Sequence, residues 1–80
     1  MFDPIKCGKC IGNVAMDIQG HDPRGWIKSA MWQCVADGKI TGGHFKAILE
    51  RKIKKSIKDI SNPEKYVNDI WNKVNKKCKG

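Results

Sequence analysis

The stretch 45–60, FKAILERKIKKSIKDI, constrains the fold more than any other part of this chain. Its apolar residues fall at 45, 48, 49, 53, 57 and 60, the spacing of one helical face. At about 100° per residue these positions cover roughly half of a helical wheel. Arg51, Lys54, Lys55 and Lys58 recur at i, i+3, i+4 and i+7 on the other half. One helix is therefore expected to carry an apolar stripe for a core and a cationic stripe for solvent or a partner.

The rest of the chain repeats this design. Asp3-Pro4 supplies an N-cap and a first-turn proline for a helix over about 4–19, with Gly20 as its stop. Asp22-Pro23 opens a second helix, about 23–37, that ends at Gly38. Its expected buried face is Trp26, Ile27, Ala30, Met31, Cys34 and Val35, with Trp32 on the other side beside Lys28. Thr41 or Gly42 starts the third helix, about 43–60. Asn62, Pro63 and Glu64 cap the fourth, about 63–78, whose apolar face is Tyr66, Val67, Ile70, Trp71, Val74 and Cys78. Strand-like alternation, repeats and low-complexity segments are absent. The expectation is an all-α single domain over 1–80, a small antiparallel bundle of about four helices with short connections.

The net charge of +8 is one-sided. Residues 1–38 hold Lys6, Lys9, Arg24 and Lys28 against Asp3, Asp17, Asp22 and Asp37, which cancel. The excess lies in the second half. A field of that kind favours nucleic acid, an anionic membrane surface or an acidic protein.

The connection Asp37-Gly38-Lys39-Ile40-Thr41 resembles the second half of an EF-hand loop. In that register loop positions 1, 3 and 12 fall on Gln33, Val35 and His44, none of them a carboxylate, so calcium is excluded and a helix–turn–helix connection remains. His21 and His44 form no triad with a nucleophile, and no phosphate-binding glycine loop occurs. The chain is read as non-enzymatic. No run approaches the length of about 18 apolar residues that spans a bilayer. No signal peptide is visible at Met1-Phe2-Asp3-Pro4. The expected location is cytoplasmic if Met1 is the native start and extracellular if the cysteines are oxidised.

In an up-down bundle the start of the first helix and the ends of the second and fourth share one end. Cys7, Cys10, Cys34 and Cys78 would converge there. Three states fit. Two disulfides, Cys7–Cys78 with Cys10–Cys34, would each contribute about 2–4 kcal/mol. Four thiolates would hold zinc, the one candidate cofactor. Free thiols would pack as small hydrophobes. Cys7-Gly8-Lys9-Cys10 on an opening helix, with Cys78 on the closing one, resembles the saposin-like family. That resemblance implies a bridge between first and last helices and action on lipids or membranes. The chain departs from the family in having four cysteines rather than six, which leaves Cys34 without an evident mate.

Three functions follow as expectations. The first is a nucleic-acid-binding module that uses Lys46, Arg51, Lys52, Lys54, Lys55 and Lys58, with Lys73 and Lys76 widening the footprint. The second is a stapled cationic bundle that acts on an anionic membrane. The third is an adaptor or inhibitor that docks on another protein through Trp32 and Lys28.

Overall fold

Capping marks the start of each described helix and the end of the first of them. The computed structural model describes residues 17–78, and three helices lie within them: α1 (Arg24–Asp37), α2 (Gly42–Ser56) and α3 (Pro63–Cys78). The fold is all-helical there; the only other pairing is one isolated bridge, Ile18 with His21.

Each helix start matches its sequence signal. Asp22 Oδ1 accepts the Arg24 backbone N–H at 3.0 Å, ahead of α1. Thr41 is extended and its Oγ1 accepts the His44 N–H at 3.2 Å, starting α2. Asn62 Oδ1 accepts the Lys65 N–H at 3.2 Å, with Pro63 in the first turn of α3. α1 stops at Gly38, which has φ 70°. The Gly38 N–H bonds the Val35 carbonyl and the Lys39 N–H bonds the Cys34 carbonyl, each at 3.1 Å, the double bond of a Schellman motif.

Three expectations change. The expected first helix lies outside the described residues except for 17–19, and these are not helical. Gln19 and Gly20 both have positive φ, 48° and 86°, and Ile18 and His21 exchange backbone bonds of 3.0 and 2.8 Å. This is the signature of a type I′ turn, and it brings Ile18 fully into the core. Gly20 thus serves a two-residue turn rather than a helix stop.

The second change is the length of α2, which ends at Ser56 rather than at 60. Ile57 is extended at φ −118° and ψ 93°, yet is only 5% exposed. Ile57 and Ile60 therefore reach the core from the connection 57–62, and Lys58 sits in that connection, off the helix. Third, Val35 is exposed, because eight residues from Ile27 carry it about 80° around the wheel and past the stripe.

Cys34 was expected in one of three states, bridged to Cys10, ligating zinc, or free and packed as a small hydrophobe. It is an unbridged thiol with no exposed surface. Burial pushes its pKa up, and the nearby Asp37 charge adds to this. It behaves as a small core hydrophobe, with Ile27, Ala30 and Met31 on the same face. Cys7 and Cys10, and the side chain of Cys78, lie outside the described residues.

α2 is the middle helix and packs against both α1 and α3. Its Phe45, Ile48, Leu49 and Ile53 meet Ile27, Ala30, Met31 and Cys34 of α1 and Val67, Ile70 and Val74 of α3. Burying an aliphatic side chain of this size contributes about 1.5–3 kcal/mol. At the start of α2 the backbone of Gly42 lies against the Trp71 indole, which also meets the Phe45 ring at 5.5 Å between centroids. A Cβ on residue 42 would stand 2.9 Å from Trp71 Cε2 and closer still to Cζ2.

Gly42→Ala is therefore expected to lower stability by about 1–3 kcal/mol despite the better helix propensity of alanine, measured by urea unfolding. Gly42→Ala combined with Trp71→Leu should recover part of that loss. Cys34→Ser is expected to cost about 1–3 kcal/mol, equally with and without reductant. A cost that disappears in reductant would place Cys34 in a disulfide.

Candidate nucleic-acid interface

The cationic edge of α2 faces the end of α1 across an open groove of about 260 Å³. Arg51, Lys52, Lys55 and Ile48 form the α2 wall, and Gln33 and Asp37 form the α1 wall. The register follows from the cap. With Thr41 starting the helix, His44, Arg51 and Lys55 fall seven and four residues apart, within about 40° of one stripe. Gln33 and Asp37 are spaced i, i+4 and share one face of α1.

Asp37 is the one acid in the groove, and both of its oxygens are engaged. Gln33 Nε2 donates to Oδ1 at 2.8 Å. His44 Nε2 stands 2.7 Å from Oδ2 and donates in the tautomer that carries its proton there. The His44 hydrogen bond, then that of Gln33, holds the Asp37 carboxyl below its ordinary range, with the His44 and Lys39 charges adding to this. Three cations against one carboxylate leave the lining at +2. Chemically, the groove offers one guanidinium and two ammonium groups to an anion, beside the apolar edge of Ile48.

Not every expected cation joins this edge. Lys54 pairs with Glu50 at 3.3 Å along its own helix. Lys46 lines a separate recess between α2 and α3, shared with Glu50 and Glu64. Lys58 has left the helix, and Lys73 and Lys76 belong to α3, which contributes nothing to the groove. The structure thus brings together Arg51, Lys52 and Lys55 and separates the other five expected contacts. Sequence reasoning missed Gln33 and Asp37 as groove residues, and His44 as the partner of Asp37. The i, i+4 pair of hydrogen-bonding side chains at the end of α1 was the available signal.

Trp32 and Lys28 lie elsewhere on α1, both exposed, with Trp32 at 62%. Among the described residues no group of three or more His, Cys, Asp or Glu is placed to hold a metal ion. No helix among them is long and apolar enough to cross a membrane. No family model, curated protein or solved structure matches this chain.

The Asp37 clasp predicts an acid sensitivity. A carboxyl whose folded pKa is depressed contributes stability that is present above its unfolded value, near 3.8, and lost as pH falls through the folded value. The urea midpoint of the wild type is expected to fall across that acid window. Asp37→Asn, which cannot ionise, should be less stable at neutral pH and show a smaller fall below pH about 4. Equal acid dependence in the two proteins would assign the sensitivity to other carboxylates.

Proposed function

We propose that this protein is a small, non-enzymatic helical module that binds nucleic acid through the phosphate backbone. The observation that carries the proposal is the convergence of Arg51, Lys52 and Lys55 on one open groove whose single acid is already engaged by Gln33 and His44. The net charge of +8 supplies long-range attraction toward a polyanion. Only Arg51 in this groove offers the two-pronged donor that reads guanine, so affinity comes from phosphates and base selectivity is weak. Lys73 and Lys76 of α3 extend the footprint only at its margin.

Docking on an acidic protein through Trp32 and Lys28 is the second reading, favoured by the exposed indole. Action on a membrane would require Phe45, Leu49, Ile53 and their partners to leave the core.

Salt dependence tests the proposal. Three phosphate contacts at a slope of about 0.7–0.9 each make affinity fall roughly 20- to 40-fold between about 50 and 200 mM salt, read by fluorescence anisotropy on a labelled oligonucleotide. Arg51→Glu with Lys55→Glu should weaken binding more than Lys73→Glu with Lys76→Glu. Affinity that is flat across that salt range, or equal loss from the two pairs, rejects the groove as the phosphate site.

A further inference from the structure

Trp32 is 62% exposed, the most exposed large apolar side chain among the described residues. The other two tryptophans are half-buried. Trp26 lies 6.0 Å from the His21 ring and Trp71 lies 5.5 Å from Phe45, measured between centroids. Trp32 has no ring, hydrogen-bond or ion-pair partner among the described residues. An indole left in water contributes little to stability, because its gain comes from burial. The core does not use it.

One cation shares its side of α1. Lys28 sits one turn earlier on the same side of α1, Val35 one turn later, and Lys39 and the exposed Ile40 follow the helix end. Asp37 is the only acid in α1, and its carboxylate is held in the groove. Trp32 also directly precedes Gln33, a groove wall residue. About 100° of the α1 surface therefore separates the indole from the phosphate groove, on a helix about 10–12 Å across. A short span of polynucleotide covers that distance.

We propose that Trp32 is a base-stacking platform, and that the nucleic acid this protein takes is single-stranded. This rests on the phosphate-binding reading above and names the ligand class for it. A cationic groove beside an exposed aromatic ring suits a single strand, whose unstacked bases are free to lie on a π-face. A duplex keeps its bases stacked on each other, so the ring could reach them only by unstacking a step. With the strand backbone at Arg51 and Lys55, a base a few nucleotides along meets the Trp32 face. Lys28 then flanks its phosphates.

The test compares a labelled oligothymidylate with a labelled duplex of equal length at roughly 50 mM salt. The wild type is expected to prefer the single strand. Trp32→Ala should lose about tenfold in single-strand affinity and leave duplex affinity unchanged. Trp32→Phe, which keeps a π-face, should retain most of the binding. Because the side chain is exposed, unfolding curves of the variants should overlay the wild type, which removes misfolding as an explanation. Unchanged single-strand affinity in Trp32→Ala, with binding still salt-dependent, overturns the platform while phosphate binding stands, and leaves the indole to protein docking. Absence of binding to both probes at low salt overturns the phosphate reading, and the platform falls with it.

Discussion

Because α2 lies between α1 and α3, about half of its circumference is committed to the core. That commitment leaves its charged residues only the other half and the two seams beside its neighbours. Arg51, Lys52 and Lys55 fall on the α1 seam, and Lys46 and Glu50 on the α3 seam. A two-helix hairpin with the same sequence would leave the cations as one broad stripe. The third helix divides them and makes one seam markedly more positive than the other. Charge layout here is a result of packing rather than an independent feature.

The seam on the α1 side is also the better fixed. The connection between α1 and α2 is held by the Gly38 and Lys39 amides, by the Thr41 hydroxyl and by the Asp37–His44 contact. The connection from α2 to α3 opens on a 2.8 Å bond from Ile57 to Ile53 and continues with longer ones, 3.4 Å from Ile60 to Ile57 and 3.4 Å from Tyr66 to Asn62. The groove walls are therefore set by several bonds within a few residues, the Asp37–His44 contact of 2.7 Å the shortest. Preorganised cations need less ordering when an anion arrives. The same clasp occupies the one carboxylate that would otherwise repel a phosphate.

Much of the fold was legible in the sequence because capping is local chemistry. Thr41, Asn62 and Gly38 mark helix ends by side-chain oxygen or by the absence of a Cβ, and neither depends on distant residues. The buried faces of α1 and α3 followed from periodicity apart from Val35, with the side chain of Cys78 outside the described residues. The end of α2 was not legible, since Ile57 and Ile60 keep the helical period while serving the core from the connection after the helix, Ile57 on extended backbone. Gly20 gave the same signal for a helix stop and for a hairpin turn. In the site, Arg51 and Lys55 could be read from one helix. The groove could not, because its other wall, Gln33 and Asp37, comes from α1, and only tertiary packing sets them side by side. Cys34 was legible as a core-facing position, but its redox state was not, because apolar spacing is the same for a thiol and for half of a bridge.

The seat of Trp71 on Gly42 has a consequence for how this sequence can diverge. An indole resting where a side chain would begin ties the two positions together. Growth at residue 42 while residue 71 stays bulky is costly, and a smaller residue at 71 opens a void that something at 42 could fill. Among descendants of this chain the two sites should change as a couple, large with glycine or small with alanine, even though 28 residues of sequence lie between them.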